Sequence, residues 1–161
     1  MQDTLRRMQA KRAKGDRGFT LVELLVVVVI IGILVAIAIP LYLNYRKGAA
    51  NKTAESDVRA AITAVEQYYT ENANAYPATQ AGAVGVTMTF GTGANEQKAT
   101  VSPGNTINYS LRPATGTNPN TYYICGINSD GGAVYIYDSA KGGSVGKSTQ
   151  ATLALCTSTG T

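Results

Sequence analysis

Histidine and tryptophan are absent from this 161-residue chain, and charged residues make up only 15% of it. Without histidine the usual general base, triad member and metal ligand is missing. There is no glycine-rich phosphate loop and no Cys-x-x-Cys. Acidic residues run out early, and beyond Glu96 only Asp130 and Asp138 remain. Asn128, Asp130 and Asp138 could share a calcium ion, yet calcium takes about six to eight oxygen ligands, more than these side chains offer. A hairpin turn accounts for them equally well. No catalytic residue, cofactor or metal is expected, and an enzyme is not the expectation.

The basic surplus is confined to one end. Arg6, Arg7, Lys11, Arg12, Lys14 and Arg17 face only Asp3 and Asp16, which accounts for the whole net charge of +4. Everything after Gly18 is balanced, so no specific nucleic-acid surface is indicated. Ten of the twelve aromatics are tyrosines. Most alternate along candidate strands, which points to packing rather than to stacking on a ligand or electron transfer. Asn51-Lys52-Thr53 and Asn108-Tyr109-Ser110 match the glycosylation triplet, a pattern short enough to arise by chance.

What the chain does have is one long apolar run. Leu24–Ile39 holds sixteen residues without a charged or polar side chain, and over Phe19–Leu43 the only charge is Glu23. Twenty-five helical residues rise roughly 37 Å, enough for a hydrocarbon core of about 30 Å. Six basic residues precede the run, while Arg46, Lys47 and Lys52 follow it. The positive-inside bias puts the N-terminus in the cytoplasm and residues 46–161 outside. Cys125 and Cys156 then lie on the oxidising side, where a single disulfide is expected. The run reads as a plain membrane anchor or as a secretory signal peptide with an Ala36-Ile37-Ala38 cleavage site. Pro40 just beyond that site, and a helical pattern continuing through it, count against the second reading.

A third reading comes from resemblance. Gly18-Phe19-Thr20-Leu21-Val22-Glu23-Leu24-Leu25 resembles the class III signal of type IV pilins and pseudopilins, and the match continues through Val26–Ile39 to Pro40 and Tyr42. The eighteen-residue leader is longer than is usual in pilins that begin with phenylalanine. The resemblance implies cleavage between Gly18 and Phe19 by a prepilin peptidase that also methylates the new N-terminus at Phe19. It implies that Glu23 meets the Phe19 amine of a neighbouring subunit during docking. A carboxylate in a bilayer costs about 2–3 kcal/mol even on lenient scales, so such a residue is usually paired. Snorkelling of Glu23 to the membrane surface is the plainer account. The resemblance also implies that the helix loosens between Gly32 and Pro40 in a filament, and that a C-terminal disulfide, here Cys125–Cys156, bounds an exposed region. The bridge would close a loop of about thirty residues, worth roughly 3–4 kcal/mol in the chain-entropy model.

Beyond Pro40, Ala54, Val58, Ala61 or Ile62, Val65, and Tyr68 or Tyr69 form one helical face. Asn51, Lys52, Glu55, Arg59, Glu66 and Gln67 are read as the solvent face, with Glu55 and Arg59 in the favoured i, i+4 order. Gly48 is a candidate weak point, and Tyr76-Pro77 closes the helix. The period then changes to two. Val84, Val86, Met88 and Phe90 read as one half-buried strand, followed by a turn at Ser102–Asn105. Strands are expected near 106–112, 121–127 and 133–138, the last two joined through Asp130-Gly131-Gly132. A final short segment is expected near 151–155.

The expected fold is α+β and pilin-like: one long N-terminal helix, its apolar half protruding and its amphipathic half packed on a small antiparallel sheet. The parts are a cleaved cytoplasmic leader (1–18), a transmembrane or filament-core half-helix (19–45), an amphipathic half (46–76) and a β-rich head (77–161). The resemblance implies a structural subunit of a surface filament. Its partners would be the membrane, further copies of itself in a helical homo-oligomer, the prepilin peptidase and methyltransferase, an assembly platform protein and an ATPase. The precursor would span the cytoplasmic membrane once, and the assembled form would lie at the cell surface. The alternatives are a pseudopilin of a secretion or DNA-uptake system, and a soluble secreted binding domain cut after Ala38.

Overall fold

The computed structural model describes residues 18–149 and 152–153. One helix, α1 (Leu21–Glu71), dominates, and it runs without a break through Gly32, Pro40 and Gly48. The chain divides into two compact units, Met1–Tyr42 and Leu43–Thr161. In the first, every large apolar side chain from Phe19 to Tyr42 is exposed, by 44% to 80%.

The second unit is an α+β domain. Strands β1 (Gln80–Val84), β4 (Asn105–Arg112), β5 (Thr121–Asn128), β6 (Val134–Asp138) and β7 (Gly146–Lys147) form an antiparallel sheet in the order β1-β4-β5-β6-β7. A two-stranded hairpin, β2 (Met88–Phe90) with β3 (Gln97–Ala99), stands beside it. Side chains alternate along a strand, so Ile107 and Tyr109 from β4 and Tyr122 and Ile124 from β5 enter one core. They meet Val58, Ala61, Ala64 and Val65 of α1 there, together with Met88 and Phe90. The helix packs directly on β5 at Gly126. A Cβ there would lie 2.6 Å from both Val58 Cγ2 and Ile107 Cδ1, so only glycine lets the two elements touch. The opposite face of the sheet carries Cys125 and Val134, with Ile127, Ile136 and Leu153 against them.

Polar groups lock the helix to the strand ends. Asp57, buried on α1, accepts from the Ser102 N–H (2.6 Å), the Ser102 hydroxyl (3.0 Å) and Asn105 Nδ2 (2.6 Å). Asn105 Oδ1 in turn accepts from Asn128 Nδ2 (2.6 Å) and the Thr53 hydroxyl (3.2 Å). No buried side-chain nitrogen or oxygen among the described residues lacks a partner, as a low-dielectric interior requires.

Two expectations need correction. Val84 to Phe90 is not one strand, because β1 ends at Val84 and β2 begins at Met88. Gly85 turns between them with φ +57°, and Val84 and Val86 are exposed. Asn51 and Glu66 do not face solvent alone: Asn51 Oδ1 accepts from the Ala133 N–H at 3.1 Å, and Glu66 Oε1 accepts from the Tyr122 hydroxyl. The segment expected near 151–155 lies mostly outside the described residues, whereas β3 and β7 were not foreseen. The strands expected near 106–112, 121–127 and 133–138, the Ser102–Asn105 turn (3.0 Å between Asn105 N and Ser102 O) and the Glu55–Arg59 pair (2.8 Å) are all present.

Candidate functional site

The start of α1 is the segment singled out by the sequence. Gly18, Phe19 and Thr20 are exposed and lie outside the helix. A capping box sets the first turn. The Glu23 N–H donates to Thr20 Oγ1 at 3.2 Å, while Glu23 Oε2 accepts from the Thr20 N–H and hydroxyl, both at 2.8 Å. This reciprocal exchange satisfies two backbone donors that a helix start leaves without partners. The Thr-x-x-Glu spacing that announces it stands in the sequence at Thr20-Leu21-Val22-Glu23. It is hidden when Glu23 is treated only as a lone carboxylate in an apolar run.

Glu23 therefore has a partner within its own chain. Only Oε2 is used in these bonds, which leaves Oε1 for an external donor. Gly18 presents the opposite case. A Cβ added there would meet nothing within 4 Å, and its backbone is not left-handed. Among the described residues nothing requires a glycine at 18. Gly32 is equally unconstrained, with nothing within 4 Å. α1 continues through Pro40.

Residues 13–39 match the family model of the prokaryotic N-terminal methylation motif. The chain carries that motif. Beyond it, the chain is 43% identical over 56 residues to the type IV major pilin protein PilA of Myxococcus xanthus, covering 35% of this chain and 26% of that protein. It is 43% identical over 69 residues to the type II secretion system core protein G of Pseudomonas aeruginosa, covering 43% of this chain and 48% of the relative. A fimbrial protein of Pseudomonas aeruginosa is 53% identical over 53 residues, covering 33% of this chain and 34% of its own length. The chain thus spans roughly a quarter to a half of the curated relatives it matches. No solved structure matches. The methylation motif, joined to a helix near the N-terminus long and apolar enough to cross a membrane, fits a membrane-anchored precursor.

The remaining expected residues lie in the second unit. Cys125 is fully buried on β5 and is disulfide-bonded. Cys156, its expected partner, lies outside the described residues. Asn128, Asp130 and Asp138 are not brought together for an ion. The Asn128 side chain serves the network around Asn105, Asp130 pairs with Arg46 at 2.9 Å, and Asp138 Oδ1 accepts from the Ala140 N–H at 3.0 Å. Both glycosylation triplets have their asparagines engaged, Asn51 with Ala133 and Asn108 as acceptor for the Gly82 N–H at 2.6 Å. Asp57 is the polar residue the sequence reading missed. Its signal was a carboxylate flanked by Ala54, Val58 and Ala61 on the apolar stripe.

Proposed function

We propose that the chain is a non-enzymatic structural subunit of a type IV pilus-like filament, made as a membrane-anchored precursor and assembled through its N-terminal helix. The observation that carries this reading is the joining of the methylation motif to a helix whose apolar side chains, Phe19 to Tyr42, are all exposed. Apolar area on this scale is not left in water. Lipid and a bundle of identical helices both cover it, because both are dry.

Cleavage after Gly18 frees an amine at Phe19, and methylation keeps its positive charge. In the filament that amine, presented by a neighbouring copy, donates to Glu23 Oε1. The Thr20 bonds on Oε2 hold the carboxylate in position for it. Pairing there offsets the cost of placing a carboxylate in a dry bundle. Prepilin peptidase and methyltransferase, a platform protein and an assembly ATPase are the partners this cycle needs. Before assembly the N-terminus lies in the cytoplasm and the β-rich domain outside, where Cys125 pairs with Cys156.

A pseudopilin of a secretion system is the second reading, favoured by the similarity to core protein G. The deciding experiment recovers the protein from the cell surface and measures its N-terminus and intact mass. A chain that starts at methylated Phe19 and is two hydrogens lighter than its reduced form supports the proposal. A chain starting at Ile39 overturns it. Electron microscopy of the same material separates long pili from a short pseudopilus.

A further inference from the structure

A cleft at the Glu71 end of α1 takes no part in the assembly just described. The helix stops in an unusual turn, where Ala73 (φ 52°) and Asn74 (φ 61°) are consecutive non-glycine residues in the left-handed region. Asn tolerates that conformation just past a helix end, but Ala73 is strained in it, and such strain gathers at functional sites. The Asn74 N–H reaches back to the Tyr69 carbonyl at 3.1 Å, which leaves the Asn74 side chain exposed at the rim. On either side of the turn Tyr69 and Tyr76 stack with centroids 4.4 Å apart, and Tyr76 leans on Tyr122 at 5.0 Å.

The stack forms one wall of a hollow of about 460 Å³, closed by Asn74, Asn120, Thr121 and Ser139. A second hollow of about 410 Å³ shares Pro119, Thr121 and Ala140 with the first and runs on to Asn118 and Arg112. Both volumes lie in the roughly 300–1,000 Å³ range of small-ligand pockets. Among the described residues, the Tyr69 and Tyr76 hydroxyls and the Asn74, Asn118 and Thr121 side chains make no hydrogen bond within the chain. No acidic group lines either hollow, and Arg112 is the only charge, its guanidinium 4.4 Å over the Tyr123 ring.

We infer that these neighbouring hollows bind a hydroxyl-rich glycan at least two sugars long. Aromatic rings match the apolar C–H faces of sugar rings, while amides and hydroxyls donate to and accept from their hydroxyl groups. A purely apolar ligand would leave most of these free polar groups unanswered. Arg112 at the far end fits a sugar carboxylate. The inference is independent of filament assembly, because none of these residues belongs to Phe19–Tyr42.

The test uses the full chain in amine-oxide micelles, which contain no sugar, with cellohexaose, chitohexaose and oligogalacturonate as probes in saturation-transfer NMR. Ring-proton signals are expected from at least one probe. Tyr69→Ala and Asn74→Gly should each weaken binding about fivefold or more, whereas Lys98→Ala on β3 should not. Glycine suits the left-handed backbone at 74, so that variant keeps its fold even if Tyr69→Ala does not. A preference for oligogalacturonate that Arg112→Ala removes identifies an acidic glycan; a response to cellohexaose or chitohexaose with none to oligogalacturonate identifies a neutral one. Silence from every probe, or binding unmoved in Asn74→Gly, would overturn the inference. So would a change of oligomeric state in the variants without any sugar signal, since the cleft would then be a contact between copies.

Discussion

Two stretches of α1 can be set side by side. Between Phe19 and Tyr42 every large apolar side chain is exposed, whereas further along Ala54, Val58, Ala61 and Val65 are all at 0%. The backbone is the same helix in both; only the source of the burying surface differs. The later stretch finds its cover within the chain, in the sheet. The earlier one is rich in valine and isoleucine, which are mediocre helix formers in water, and gains its stability from whatever dry phase surrounds it. A chain with one helix of two such surfaces has an internal folding problem at one end and an external one at the other. Mutations should separate the two.

The largest separation is expected at Gly18. Gly18→Leu should leave the leader uncleaved and abolish filaments while the β-rich domain melts at the wild-type temperature; normal processing of this variant, read by intact mass, would remove the peptidase interpretation. Next comes Gly126→Val, which forces Val58 and Ile107 apart and should cost about 3 kcal/mol in the second unit. Processing at Gly18 should be untouched, so a defect there would show that the two stretches are not independent. Third, Tyr122→Phe leaves the half-buried Glu66 carboxylate without its donor and should cost about 1–2 kcal/mol.

That tyrosine also sets a pH dependence. Burial raises the Tyr122 hydroxyl well above its ordinary value, and the Glu66 bond adds to the shift; burial likewise raises Tyr109, whose hydroxyl donates to the Pro77 carbonyl at 3.0 Å. The unfolded chain then loses these protons first, so their contribution is complete below about pH 10 and falls as pH rises above it. Melting curves between pH 9 and 11 should show this loss, and it should be shallower in Tyr122→Phe. The smallest effect is at the cap. Thr20→Val should cost about 1 kcal/mol, seen as faster amide exchange in the first turn of α1 with no change in the melting of the second unit.

Much of this was legible from residue order. The alternation from Asn105 to Arg112 and the run from Thr121 to Asn128 are strand patterns that need no tertiary information, and the stripe Ala54-Val58-Ala61-Val65 is the face that became the core. What failed did so for tertiary reasons. Val84 and Val86 keep the period of a strand, but Gly85 packs near Pro103, 3.6 Å from where its Cβ would stand, and the chain turns there. Glu66 and Asn51 look like solvent residues until Tyr122 and Ala133, far away in sequence, arrive to bond them. At Glu23 the fault was of another kind. The capping signature was local, and the oddity of a charge in an apolar run drew attention from it.

The capping box has one more consequence. Proteases bind their substrates as open backbone, since a helical peptide bond is shielded by its own ladder. By halting α1 at Leu21, Thr20 and Glu23 keep the Gly18–Phe19 bond off the end of the helix. The apolar rod beyond stays fully wound. If the proposed processing holds, a cap shifted a few residues upstream would wind the Gly18–Phe19 bond into the helix and make the precursor a poorer peptidase substrate.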